Sequence, residues 1–183
     1  METTQDVMTD DRPAPDARRL DLDALARLDS DALATMYASA RGPGRVDALE
    51  GHPAGRMLAV RVVDDTPFAP LVRAFAASSA FIWDGKTFGA RSDKEGDGIN
   101  RIQIPGALGR QNLFPFKTRF GASAIDGETA LILDYDLPEN PPWIRKIHDE
   151  VREAAPGLYF GPAMWKGASG PFTLLWFGLD TRG

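Results

Sequence analysis

From about residue 54 onward, apolar and polar residues mostly alternate with a period of two, the spacing of half-buried β-strands. Arg56–Val63, RMLAVRVV, is the first such run. In Ile99–Ile104, Asn100, Ile102 and Ile104 share one face, and Arg101 and Gln103 take the other. Leu113–Phe120 sets Phe114, Phe116, Thr118 and Phe120 against Lys117 and Arg119. Pro115 removes a ladder donor there, so this strand should lie at an edge or carry a bulge. Phe81–Trp83 and Lys86–Phe88 flank Asp84-Gly85, a preferred type I′ pair, and predict a tight hairpin. A second Asp-Gly pair, Asp126-Gly127, should turn the chain into Thr129–Tyr135. Leu158–Trp165 and Phe172–Leu179 complete the set. The final strand, FTLLWFGL, is apolar on both faces and should be covered on both sides.

Three stretches change to helical period. Leu22, Leu25 and Leu28, then Leu33, Met36 and Tyr37, predict helix over Asp21–Ala40, with Ser30 as an N-cap that could divide it in two. Phe68, Leu71, Val72, Phe75 and Ala76 fit the full amphipathic template behind Thr66-Pro67. A third helix is predicted for Trp143–Ala155, capped by Asn140 and ended by Pro156-Gly157. Its buried stripe would be Trp143, Ile144, Ile147, Val151 and Ala154, with His148 and Arg152 at one border. Residues 1–19 carry few large apolar groups and predict a disordered tail. The expectation is an α+β single domain over residues 20–183. It would be a curved, mainly antiparallel β-sheet or β-barrel of seven or eight strands with three helical segments.

Composition narrows the function classes. A net charge of −5 over 183 residues argues against a nucleic-acid backbone as partner. The absence of cysteine removes thiolate nucleophiles, disulfides and cysteine metal sites. His52 and His148 are the only histidines, so no metal site and no cofactor is predicted. The acidic N-terminus lacks the apolar core of a signal peptide, and no apolar run is long enough to span a membrane. A cytoplasmic protein is expected. The oligomeric state is left open.

Two sets of residues could carry chemistry. Trp83, Phe116, Tyr135, Tyr159 and Trp165 could line a barrel cavity, with Arg101 and Arg152 to meet an anionic group; they could equally fill the core. Alternatively, His148 and Asp134 could act as acid and base, with Arg152 or Arg101 holding an anion. Against this, histidine and arginine commonly border apolar stripes, and carboxylates at strand ends are commonly solvated. No P-loop, dinucleotide fingerprint or Gly-x-Ser-x-Gly elbow occurs.

FIWDGKTF, ILDYDLP and IRKIHDEVREAAPGLYFGPAMW resemble a group of small bacterial proteins. Their shared pattern is a Trp-x-Gly-Lys-x-Phe hairpin, a Leu-Asp-Tyr strand, and an Ile-Arg…Asp-Glu-(Ile/Val)-Arg helix running into Pro-Gly-Leu-Tyr-x-Gly. The likeness covers about Phe81 to Leu179. It implies membership of that group and no particular activity. A lipocalin-like barrel is similar in outline, by fold analogy alone. The leading expectation is a lipocalin-like barrel that binds a small hydrophobic ligand, which could be anionic. A cofactor-independent isomerase, cyclase or lyase is the alternative. A structural module that binds a partner through its N-terminal helices is a further one.

Overall fold

The computed structural model describes residues 20–60, 82–104 and 108–183. The expected tail at 1–19 and the expected helix at Phe68–Ala76 lie outside those residues. Eight strands form a closed antiparallel barrel in which each is hydrogen-bonded to the next and the last returns to the first. They are β1 (Ala54–Val60), β2 (Ile82–Ala90), β3 (Glu95–Ile104), β4 (Gly109–Ala122), β5 (Thr129–Asp134), β6 (Ile147–Ala155), β7 (Leu158–Gly167) and β8 (Gly170–Asp180). Among the described strands closure leaves no edge, so Pro115 sits in β4 by the other route open to it, a bulge. Ile99 pairs with Pro115 and Asn100 with Leu113, leaving Phe114 as the extra residue, at φ 60°.

Two expectations are corrected here. Asp84-Gly85 is no hairpin turn. It is a bulge inside the continuous strand β2, where the register shifts between Trp83 and Gly85. Gly85, at φ 116°, takes a backbone conformation that L side chains rarely adopt, and a Cβ on it would fall 2.5 Å from the Pro53 carbonyl oxygen. The second correction concerns Trp143–Ala155. A 3-10 turn over Ile144–Lys146 leads into strand β6, and no α-helix forms there. Glu, Arg and Ala favour helices, but Ile147, Asp149 and Val151 fill the barrel while His148, Glu150 and Arg152 face outward under another element. A strand buried on both faces lacks the simple alternation that would have revealed it.

The N-terminal helical stretch divides in two as expected, but the cap of the second helix is Asp29, and Ser30 is its first helical residue. Helix α1 spans Leu22–Leu25 and α2 spans Ser30–Ser39, with the Asp21 and Asp29 side chains accepting from the backbone N–H groups of Ala24 and Ala32. Leu25, Leu33 and Tyr37 pack on the outer faces of β7 and β8, against Leu158, Phe160 and Trp176. Tyr37 meets Phe160 and Trp176 edge-on, at ring-centroid distances of 5.9 and 5.6 Å. The expected double burial of β8 is therefore present: Phe177 and Leu179 point into the barrel and Trp176 points out beneath the helices.

The barrel's two ends differ. At one, a 3-10 turn over Val46–Leu49 inserts Val46 and Leu49 into the inner core and ties Gly51 to Phe88 by a pair of backbone hydrogen bonds. That end is filled. Toward the other end, where β5 gives way to β6 and β7 to β8, the interior holds a cavity.

Candidate functional site

The cavity has a volume of about 420 Å³, within the range of small-molecule sites. Its upper walls are apolar: Met57 of β1, Ile102 and Ile104 of β3, Ala163 of β7, and Ile144 and Ile147 before and in β6. Bulges widen the apolar lining. On β4 the extra residue lets both Leu113 and Phe114 reach the cavity, and a register shift against β7 does the same for Leu174 and Leu175 of β8. Trp143 lines it too and is itself 37% exposed. Phe114 meets Trp143 edge-on at 5.6 Å.

A polar cluster lies deeper, built from four side chains on four strands or their ends. The β2 bulge separates Trp83 and Lys86 by three residues yet puts both on the inner face. Lys86, only 3% exposed, donates from Nζ to Asn100 Oδ1 at 2.8 Å, Tyr135 Oη at 2.6 Å and Asp149 Oδ2 at 3.0 Å. The rings of Trp83, Phe116, Tyr135 and Phe177 surround the ammonium at 5.0 to 5.3 Å. Aromatic faces and three acceptors together favour the cation.

The remaining valences can be counted atom by atom. Asn100 Oδ1 also accepts from Trp83 Nε1 at 3.2 Å, and its Nδ2 donates to the Phe114 carbonyl and to Tyr135 Oη. Lys86 needs an acceptor at that place, which fixes the orientation of the amide. Tyr135 Oη donates to Asp149 Oδ2 at 3.0 Å. Every donor and acceptor of the cluster is then used except Asp149 Oδ1, which is buried and has no hydrogen-bond partner among the described residues. Thr118 Oγ1, on β4, is the other such atom.

Burial pushes the Lys86 pKa below its ordinary value of 10.5, while the Asp149 carboxylate opposes that shift. Burial, reinforced by Asp149, raises the Tyr135 phenol well above its ordinary 10.0, so it stays protonated and donating.

Of the residues expected at the site, three are at the cavity and the rest are elsewhere. Trp83 and Tyr135 line the cavity, and Phe116 supports it from below, in contact with Lys86 and Tyr135. Tyr159 belongs to the inner core toward the filled end, its hydroxyl 3.4 Å from the Ala48 carbonyl. Trp165 is buried near the end of β7 with Lys146 5.5 Å from its ring centroid, and is not among the cavity-lining residues. Arg101 points out of the barrel and holds the β2 bulge, donating to the backbone carbonyls of Lys86, Asp84 and Pro53. A guanidinium spent on three carbonyls is a brace.

Arg152, His148 and Asp134 also face outward. Arg152 is fully buried beneath α2, bidentate to Asp126 at 2.7 Å on each arm, bonded to the Tyr37 carbonyl and stacked 4.3 Å from the Tyr37 ring centroid. Glu150, equally buried, accepts from Tyr37 Oη at 2.8 Å, Ser123 Oγ at 2.5 Å and the Ala124 N–H at 2.6 Å, with His148 Nε2 at 3.0 Å. Burial opposes ionisation of Glu150, but those hydrogen bonds outweigh it and hold its pKa below the ordinary 4.5. Asp134, cross-strand neighbour of His148, pairs with Lys166 at 3.3 Å and accepts from the Asp136 N–H. This outer network fastens α2 to the barrel. Arg145, just before β6, pairs with Asp136 at 2.6 Å, whereas Asp149 is inside.

Lys86, Asn100 and Asp149 were not singled out as site residues. Asn100 had a legible signal, since alternation puts it on the face of Ile102 and Ile104. Lys86 was hidden by reading Asp84-Gly85 as a turn, and Asp149 by the helical reading of β6. Among the described residues, no group of three or more His, Asp or Glu is placed to hold a metal ion, and no helix is long and apolar enough to cross a membrane.

No protein-family model matches the chain, and no curated protein sequence matches significantly. Among solved structures, the crystal structure of a protein from Thermomonospora curvata is similar with a TM-score of 0.52 and 18% identity, over 85% of this chain and 89% of that one. At that identity the likeness is one of fold: an eight-stranded closed barrel.

Proposed function

We propose that this barrel binds a small, mainly apolar molecule in the cavity beside Trp143, in the manner of a lipocalin-like carrier. The observation that carries this reading is the cavity itself: about 420 Å³, walled by aliphatic and aromatic side chains, with one cluster of polar groups at depth to orient a ligand. A core packed only for stability leaves few voids larger than a water molecule, so a cavity of this size is maintained at a cost in packing. A cytoplasmic setting fits a chain without cysteine. The acid/base alternative relied on His148 and Asp134, and both stand on the outer face of the barrel, away from the cavity.

Tryptophan fluorescence tests the proposal. Trp83 and Trp143 line the cavity, whereas Trp176 lies beneath the helices. Titration with decanol should change the emission saturably, at one ligand per chain. The change should disappear when Trp83 and Trp143 are both replaced by Phe and persist in Trp176→Phe. A response that depends on Trp176 alone, or none at all, contradicts binding in the cavity.

A further inference from the structure

We infer that the ligand's polar end is a neutral hydrogen-bond donor, an alcohol or phenol hydroxyl, and that Asp149 Oδ1 is its acceptor. This rests on the reading of the cavity as a ligand site and narrows the chemical class it takes.

Charges and hydrogen-bond valences at the cluster restrict what a ligand can bring there. Lys86 and Asp149 are 3.0 Å apart, carry one charge each of opposite sign, and have no other ionic partner within the cluster. Their sum is zero wherever the proton between them resides. A ligand bringing a carboxylate or an ammonium to this depth would leave one net charge in a buried, largely apolar site, which is the costly arrangement. A neutral head group avoids it.

The valence count then chooses between donor and acceptor. An acceptor such as an ether or ester oxygen needs a free N–H or O–H. The three Lys86 donors go to Asn100, Tyr135 and Asp149, both Asn100 donors to Phe114 and Tyr135, the Tyr135 hydroxyl to Asp149, and the Trp83 indole to Asn100. None is left over. What is left over is an acceptor, Oδ1 of a side chain that lines the cavity and has no partner among the described residues. The terminal carboxylate torsion of aspartate is soft, so a small rotation about it can present Oδ1 to a ligand while Oδ2 keeps Lys86 and Tyr135. The anionic ligand expected from the sequence drew on Arg101 and Arg152, and both guanidinium groups are committed outside the barrel.

Four probes of one chain length decide the matter by calorimetric titration of the full chain near neutral pH: decanol, decyl methyl ether, decanoate and decylamine. Decanol should bind most tightly, by about tenfold or more over each of the other three, the worth of one hydrogen bond to a charged acceptor. In Asp149→Asn the Lys86 ammonium loses its counter-charge, and decanoate should overtake decanol. If the ether matches decanol, or decanoate binds the native chain as well as decanol does, this inference is overturned while the cavity remains a ligand site. If none of the four binds, the ligand-site reading fails with it. Should Asp149→Asn not fold, the ranking of the four probes on the native chain still decides.

Discussion

Replacing Lys86 by Met probes the interior cluster most sharply. Methionine keeps the length and the apolar stem but removes the ammonium, leaving the Asp149 carboxylate, itself buried, without its counter-charge. At the observed 3.0 Å separation, two unit charges interact by about 5–6 kcal/mol at an effective dielectric constant of about 20. Most of that attraction offsets the desolvation of both ions when the pair forms, so the pair's net worth is small. Its disruption is another matter: truncating one partner of a buried pair costs about 3–5 kcal/mol, because the other charge is stranded. Loss of the ammonium from among four rings adds to this, and the better-buried thioether offsets part of it. Lys86→Met should therefore lower the unfolding free energy by about 3–5 kcal/mol, read from the urea midpoint at constant m-value. Combining it with Asp149→Leu should recover at least half of that loss, since both charges are then gone. A single variant within about 1 kcal/mol of the native chain, or a double variant whose loss is the sum of the two singles, would refute the pairing.

Arg101→Ala leaves three carbonyls, two of them in buried hydrogen bonds, without their shared donor and should cost roughly 2–4 kcal/mol in urea, with ligand affinity per folded molecule unchanged; a purely ligand-binding arginine would show the opposite pattern. Gly85→Ala forces a Cβ toward the Pro53 carbonyl at a positive φ and should lower stability by about 2–4 kcal/mol, whereas Gly51→Ala, equally positive in φ but with open space around it, should cost less. Glu150 and Asp126 both have folded pKa values below their ordinary 4.5 and 3.8, Asp126 through its hydrogen bonds with Arg152. Such carboxylates contribute stability that is fully present above the unfolded value and lost as pH falls through the folded one. Stability should thus decline as pH drops below about 4.5, and Glu150→Gln should flatten that decline while costing roughly 1–3 kcal/mol near neutral pH. Urea midpoints across that range read it out, and an unchanged acid slope would contradict the assignment.

Strand pattern was the legible part of this chain. The faces read for Ile99–Ile104 and Leu113–Phe120 are the faces found, and the double burial of FTLLWFGL follows from its closure against β1 and its cover by α1 and α2. The helical stripe at Leu22–Tyr37 was legible because its other side meets solvent. What failed did so for two physical reasons. Asp84-Gly85 has the same chemistry in a type I′ turn and in a bulge, since both need a residue at positive φ, and only the partner strand distinguishes them. Ile147–Ala155 mixes apolar and charged residues on both faces because Glu150 and Arg152 are buried under α2 against Tyr37, Ser123 and Asp126, partners distant in sequence. The candidate site inherited both errors, as Lys86 follows the bulge and Asp149 lies in that strand.

The central claim is that the interior of the barrel is where a ligand sits. Ala163 lines the cavity on β7, and a larger side chain there would fill space that a ligand needs. Calorimetric titration of Ala163→Phe with decanol, beside the native chain, tests this most directly. The account predicts one site per native chain, a negative heat-capacity change on binding, and no detectable binding to a variant that still unfolds cooperatively. Equal affinity in the two proteins would place the ligand elsewhere and contradict it.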